Sequence, residues 1–142
     1  MITAVDSSVL IDVFTADPAF GAASREALRA CRADGGLVAC EVVWAEVSAA
    51  FDDTSRTATV MEQLGIRYLP LDREAAARCG QEWRRYRSAG GSRRRVIADF
   101  LIGAHAAAHA KRLLTRDRGF FRSYFTDLVV LDPRPEVPPQ RQ

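Results

Sequence analysis

The segment Val96–His109, VIADFLIGAHAAAH, is apolar along most of its length but contains one carboxylate, Asp99. Its composition predicts a largely buried helix that begins near Ile97. Burying an ionised carboxylate is unfavourable unless it has a partner, so Asp99 must face water, pair with Arg95 one turn earlier, or join other acids around a metal ion. Gly103, about one turn beyond Asp99 on a similar face, leaves room for close backbone approach.

Short β-prone runs alternate with helical segments through the rest of the chain. This alternation predicts an α/β fold, a three-layer sandwich in which a parallel five-stranded sheet carries helices on both faces. We expect residues 1–131 to form one domain and the proline-rich residues 132–142 to form a flexible tail. The predicted strands are Ile2–Val5, Leu37–Ala39, Ile66–Leu69, Arg112–Thr115 and Leu128–Leu131. The predicted helices are Ser7–Phe14 (capped by Ser7), Ala19–Ala33, Glu41–Phe51, Thr54–Leu64, Arg73–Arg87, Val96–Ala110 and Asp117–Tyr124.

Composition excludes several classes of protein. The 142 residues and 48% hydrophobic content suit one globular domain, and no apolar run approaches the roughly 20 residues that span a bilayer. The first residues lack the basic start of a signal peptide, and the three cysteines are scattered, so we expect reduced thiols and a cytoplasmic protein. Six arginines and no acid lie between Glu82 and Asp99, which indicates either a phosphate-binding surface or a solvated face.

Four acids are placed to meet at one edge of the predicted sheet. Asp6 ends the first strand and Asp117 follows the fourth, and the carboxyl ends of parallel strands share an edge. Glu46, on the helix after the second strand, and Asp99 can overhang the same edge. Each acid alone has an ordinary explanation as a helix cap, a turn residue, a solvated residue or an ion-pair partner. Together they would raise one another's pKa values, and Mg²⁺ or Mn²⁺ would relieve that repulsion.

Three segments then show a family resemblance: VDSSVLIDVF (5–14), WAEV (44–47) and IADFLIGAHAAAHAKRLLTRDRGFF (97–121). They resemble the acidic motifs of PIN domains, and the size and layout are similar to those of VapC-type toxins of bacterial toxin–antitoxin pairs. The resemblance implies an endoribonuclease that depends on Mg²⁺ or Mn²⁺, forms a homodimer and is silenced by a VapB-type antitoxin. It assigns the metal and catalytic roles to Asp6, Glu46, Asp99 and Asp117, and supporting hydrogen bonds to Ser7, Ser8 and Thr115.

The predicted reaction is hydrolysis of RNA phosphodiester bonds by a metal-activated water. Phosphate binding is assigned to Arg93, Arg94, Arg95 and Arg116. The alternative function is a non-catalytic, PIN-like module that binds a partner or RNA. His105 and His109 have the spacing of two zinc ligands on a helix, but without an accompanying acid we expect them to be partly exposed helix residues.

Overall fold

A computed structural model of the chain describes residues 1–92 and 95–133. Arg93 and Arg94, predicted to bind substrate, and residues 134–142 of the predicted tail lie outside the described residues. The strands are β1 (Thr3–Val5), β2 (Leu37–Ala39), β3 (Ile66–Tyr68), β4 (Arg112–Leu114) and β5 (Val129–Leu131). They form one parallel sheet in the order β3-β2-β1-β4-β5, which confirms the predicted fold.

Seven helices accompany the sheet in the described part of the chain. They are α1 (Ser7–Phe14), α2 (Gly21–Asp34), α3 (Glu41–Ser48), α4 (Ser55–Gln63), α5 (Arg73–Ser88), α6 (Ile97–His109) and α7 (Arg118–Tyr124). The second helix begins later than predicted because Asp17 Oδ1 accepts hydrogen bonds from the backbone N–H groups of Ala19 and Phe20, which closes a turn there. None of these helices is long and apolar enough to cross a membrane.

The start of α1 differs from the prediction by one residue. Asp6 is the residue that precedes the helix, and Ser7 is its first helical residue. The predicted Ser7 cap is therefore wrong. The physical reason is that the Ser7 hydroxyl faces two carboxylates instead of the free backbone N–H groups of the first turn.

The middle strand, β1, is fully buried and pairs with β2 on one side and β4 on the other. The backbone pairing continues past the strand ends: Asp6 N–H donates to the Leu114 carbonyl over 2.9 Å, and Thr115 N–H donates to the Leu131 carbonyl over 2.9 Å. Because the ladder continues in this way, Asp6 and Thr115 come side by side at the carboxyl edge of the sheet.

Helix α6 begins at Ile97, as predicted, with Val96 in an extended conformation before it. Seven residues of this helix are buried, including Gly103. A Cβ atom on Gly103 would lie 2.3 Å from the ring of the fully buried Phe125. The close approach predicted at Gly103 therefore exists, but the neighbour is an aromatic ring and not another backbone.

The expectation that His105 is partly exposed is wrong. Its side chain is 1% exposed, on the side of α6 that faces the backbone of Leu69 after β3. Burial lowers the pKa of His105, and the hydrogen bond with Leu69 opposes that shift. His109 is half-buried, with its ring 5.2 Å from that of His105 and its Nε2 atom 3.2 Å from a carboxylate oxygen of Asp72. The pair thus belongs to the packing between α6 and the β3–α5 loop.

Candidate functional site

The innermost acid of the sheet edge is Asp6, which is 8% exposed. Thr115 Oγ1 donates to Asp6 Oδ2 over 2.7 Å, Ser8 Oγ donates to the same oxygen over 3.3 Å, and Ser7 Oγ lies 3.4 Å from Oδ1. Burial raises the pKa of Asp6, hydrogen bonds from the Thr115 hydroxyl, the Ser7 backbone N–H and the Ser8 hydroxyl lower it, and the charge of Asp99 raises it further. The net direction is upward, so these hydrogen bonds do not offset the cost of burying this charge.

The Ser7 hydroxyl joins Asp6 to a second acid. Ser7 Oγ lies 3.2 Å from Glu46 Oε1 as well as near Asp6. A hydroxyl group has one proton, so it can donate to only one of the two carboxylates at a time. The residue Glu46 is exposed as a whole, but partial desolvation of its carboxyl group raises its pKa, and the charges of Asp6 and Asp99 add to the shift.

Asp99 lies in the first turn of α6, at the end of the helix that carries free backbone N–H groups. The Val96 N–H donates to Asp99 Oδ2 over 3.4 Å. Burial raises the pKa of Asp99, and the negative charge of Asp117 adds to that shift, while the Val96 hydrogen bond and the positive charge of Arg95 oppose it. Asp99 therefore interacts electrostatically with the other acids although the chain separates them widely.

The fourth acid, Asp117, has a basic partner. Both terminal nitrogens of the Arg95 guanidinium donate to its carboxylate, with Arg95 Nη2 3.0 Å from Asp117 Oδ1. The Arg95 guanidinium also lies 4.3 Å from the centre of the Phe120 ring. The backbone N–H of Asp117 donates to Thr115 Oγ1 over 3.0 Å, which ties it to the Asp6 side of the site. Arg95 thus forms a bidentate ion pair with Asp117, and the alternative pairing of Arg95 with Asp99 is wrong.

Arg116 turns its side chain away from the acids and towards α1. Its guanidinium binds Asp12, with Nε 2.8 Å from Oδ2 and Nη2 3.0 Å from Oδ1, and lies 4.3 Å from the centre of the Phe20 ring. Ser24 Oγ donates to Asp12 Oδ2 over 3.0 Å. The Arg116 backbone N–H also points to Ser8 Oγ, at 3.5 Å. Arg116 therefore anchors the loop after β4 to α1 and α2.

Sequence reasoning missed Asp12. Its side chain is 3% exposed, and it lies in the apolar segment VDSSVLIDVF. The signal that singled out Asp99, a carboxylate inside an apolar helix, is present at Asp12 as well. Asp12 is explained by its buried ion pair with Arg116, whereas Asp99 forms no such ion pair among the described residues.

The four acids form a shared electrostatic site but not a complete set of metal ligands. In residues 1–92 and 95–133, no ion pair neutralises Asp6, Glu46 or Asp99. Within the same residues no three His, Cys, Asp or Glu side chains are arranged to hold a metal ion. The fork between Asp117 and Arg95 supplies a physical reason, because it directs one carboxylate to a guanidinium. The donor atoms themselves are carboxylate oxygens, which suit a hard divalent cation.

Solved structures of similar fold include a toxin–antitoxin complex. The chain matches a structure of VapBC2 from Rickettsia felis bound to promoter DNA with a TM-score of 0.72 and 14% identity, covering 93% of this chain and 98% of that one. It matches a toxin–antitoxin complex from Klebsiella pneumoniae with a TM-score of 0.70 and 18% identity, covering 94% and 99%. The values for FitAcB from Neisseria gonorrhoeae are 0.66 and 23%, covering 94% and 98%.

One of two sequence comparisons agrees with this structural likeness. A search of curated proteins finds no match to the chain. The model of the PIN domain family, however, matches residues 3–125, which include all four acids and most of the sheet. The chain therefore belongs to the PIN domain family.

Proposed function

We propose that this PIN domain is an endoribonuclease that depends on Mg²⁺ or Mn²⁺ and acts as the toxin of a type II toxin–antitoxin pair. The observation that carries the proposal is the group Asp6, Glu46 and Asp99, three carboxylates with raised pKa values and no neutralising ion pair among the described residues. A protein that kept this group only for stability would be better served by amide or apolar side chains. A divalent cation accounts for all three.

The residues that would hold the ion are Asp6, Glu46 and Asp99, with Asp117 available once Arg95 leaves it. The hydroxyl groups of Ser7, Ser8 and Thr115 orient the carboxylates. A bound divalent ion supplies Lewis acidity, which activates a water molecule and offsets negative charge on a phosphodiester.

Among the described residues, Arg95 is the basic side chain that we propose to bind RNA phosphate at this site. Arg95 already makes a bidentate contact with the Asp117 carboxylate, and a phosphate group can accept the same pair of hydrogen bonds. We propose that Arg95 exchanges Asp117 for a phosphate of the substrate, which also frees Asp117. The guanidinium of Arg116 is engaged by Asp12, so the proposed phosphate contact of Arg116 requires that ion pair to open.

The proposed partners follow from the relatives. The reported structures of similar fold are those of VapBC2, of FitAcB and of a toxin–antitoxin complex, so we propose a VapB-type antitoxin for this chain. We further propose a cytoplasmic homodimer. We call the sheet edge that carries Asp6, Glu46, Asp99 and Asp117 the acid edge. It is suited to an inserted arginine of the antitoxin, because the guanidinium of Arg95 already fits against Asp117.

The alternative is a PIN-like module that binds RNA or a protein without cutting. Its support is the Arg95–Asp117 fork and the lack of a ready set of three ligands in the described residues. Under that alternative the acids would serve only to bind basic groups of a partner.

Cleavage of a labelled cellular RNA mixture by the purified protein separates the two. We expect cleavage with Mg²⁺ or Mn²⁺, products that carry 5′-phosphates, and no cleavage in chelator or with Asp99→Asn. The matched control is Asp52→Asn, which removes an exposed carboxylate between α3 and α4 and should leave cleavage unchanged. Cleavage that persists in chelator and in Asp99→Asn would refute the metal-dependent nuclease.

A further inference from the structure

Trp83, on α5, lies between two surface cavities. The larger, of about 360 Å³, is lined by Trp83, Tyr86, Arg87, Gly91, Ser92 and Arg95. The smaller cavity, of about 320 Å³, is also lined by Trp83 and Arg87. Both volumes lie near the lower end of the range of about 300–1,000 Å³ seen for small-ligand pockets. We call the larger cavity the Trp83 pocket.

The aromatic wall of the Trp83 pocket is rigidly supported. The rings of Trp83 and Tyr86 are stacked, with centres 5.9 Å apart and planes inclined by 21°, and the edge of Phe100 contacts Trp83 at 5.3 Å. The Tyr86 hydroxyl donates to the Ser92 carbonyl. A Cβ atom on Gly91 would lie 2.5 Å from the Tyr86 ring, so only glycine permits this close approach. A flat ligand would therefore meet a wall that needs little ordering on binding.

The Trp83 pocket adjoins the acid edge. Arg95 lines the pocket and also forks with Asp117, so one guanidinium belongs to both. Phe100, which supports Trp83, directly follows Asp99 in α6. A chain that passes from the pocket to the acids would cross Arg95 first.

The chemistry of the lining defines the ligand. Two aromatic rings and the guanidinium groups of Arg87 and Arg95 line the pocket, with no acidic side chain among its lining residues. Aromatic rings stack on nucleobases, and arginine binds the adjacent phosphates, as in proteins that bind single-stranded RNA. An apolar side chain of a protein partner would instead have to desolvate two charged groups.

We propose that the Trp83 pocket binds a nucleobase of the RNA, next to the phosphate that lies at the acid edge. This inference rests on the proposed ribonuclease function and adds a base-binding subsite to it. Trp83 supplies the stacking surface, Arg87 contacts the outer phosphate, and Arg95 lies between the bound base and the acids.

Tryptophan fluorescence can test base binding without any cleavage. In a Trp44→Phe background, Trp83 is the only tryptophan, since the sequence contains two. The probe is a single-stranded RNA hexanucleotide, and the control is an abasic hexanucleotide with the same phosphates, both in chelator. We expect saturable quenching of Trp83 by the RNA and little by the abasic strand. Equal binding and equal quenching by the two strands would overturn the proposal and favour a protein side chain as the occupant.

Substitutions then assign the effect to the pocket. Because Trp83→Ala removes one base–aromatic stack, it should weaken RNA binding about 5- to 150-fold, measured by the anisotropy of a labelled hexanucleotide. Trp83→Phe should retain most of the affinity, and Arg87→Gln, at an exposed position, should weaken binding without affecting the fold. Wild-type RNA affinity in both Arg87→Gln and a folded Trp83→Ala protein would overturn the proposal.

The RNA-binding measurements on the Trp83 pocket and the RNA-cleavage test can fail independently of each other. Base-dependent quenching without any cleavage would refute the ribonuclease and leave the Trp83 pocket as an RNA site. Metal-dependent cleavage with unchanged RNA binding in the Trp83 and Arg87 variants would refute the pocket and leave the ribonuclease.

Discussion

Replacing Arg116 by methionine should destabilise the protein more than replacing its partner Asp12 by asparagine. Asp12 is 3% exposed and pairs with the Arg116 guanidinium, which donates one hydrogen bond from Nη2 and places Nε 2.8 Å from Oδ2, while Ser24 donates one more hydrogen bond over 3.0 Å. Arg116→Met leaves an ionised carboxylate buried with that single donor. Breaking a buried pair from one side in this way costs about 3–5 kcal/mol.

The reverse substitution is milder because the two partners differ in exposure. The Arg116 side chain is 35% exposed and already lies against the Phe20 ring, so its guanidinium can turn to water when Asp12 becomes asparagine. The loss is then that of charge-assisted hydrogen bonds, about 1–3 kcal/mol. The double variant Asp12→Asn, Arg116→Met should be more stable than Arg116→Met alone, since it no longer buries a charge.

Urea unfolding of the wild type and the three variants measures these differences in the free energy of unfolding, and thermal unfolding measures the matching differences in Tm. For a domain of this size about 1 kcal/mol corresponds to a few degrees in Tm, so Arg116→Met should lower the Tm by roughly 10 °C. The reasoning is refuted if Asp12→Asn is the more destabilising single substitution, or if the double variant is less stable than Arg116→Met.

Three further perturbations address the acid edge and the core. In chelator, wild type should lose stability relative to Asp6→Asn as the pH rises above 3.8, the ordinary aspartate pKa, because burial raises the pKa of Asp6 and ionisation then destabilises the fold; urea unfolding over a pH series checks this, and a pH-independent difference contradicts it. Arg95→Gln should tighten Mn²⁺ binding, because it frees Asp117, and weaken RNA binding; unchanged Mn²⁺ affinity in calorimetry contradicts the proposed exchange. Gly103→Ala should cost about 1–3 kcal/mol through its clash with Phe125, and Phe125→Leu should restore part of that stability; full stability of Gly103→Ala would contradict the packing.

The fold and the position of the acids are accessible from sequence because they depend on local patterns. Parallel strands place their carboxyl ends at one edge, so Asp6 and Asp117 could be assigned to it from the strand predictions alone. A start of α6 near Ile97 is favoured because it places Asp99 in the first turn, where its carboxylate can reach that edge, and the helix does begin at Ile97. The position of Glu46 after the second strand placed it where it could overhang the same edge, and the family resemblance then assigned it a metal-binding role.

The pairing of charged side chains was not accessible, because it depends on tertiary packing. Arg95 is 22 positions from Asp117 but only four from Asp99, so the sequence suggests only the local pairing with Asp99, as one alternative among others. Arg116 lies 104 positions from Asp12, and nothing local connects them. From the sequence His105 is expected to be partly exposed, but tertiary packing buries it against the backbone of Leu69, which is 36 positions away in the chain.

Calorimetric titration of Mn²⁺ into the purified protein tests the metal site most directly. We predict saturable binding by the wild type and by the control Asp52→Asn, and affinity lower by about tenfold or more in Asp99→Asn. Asp99→Asn should retain its fold, because the Val96 hydrogen bond to Asp99 is long and an amide oxygen can accept it. Absence of saturable Mn²⁺ binding to the wild type, or equal affinity in folded Asp99→Asn, would contradict the proposal that these acids form a divalent-cation site.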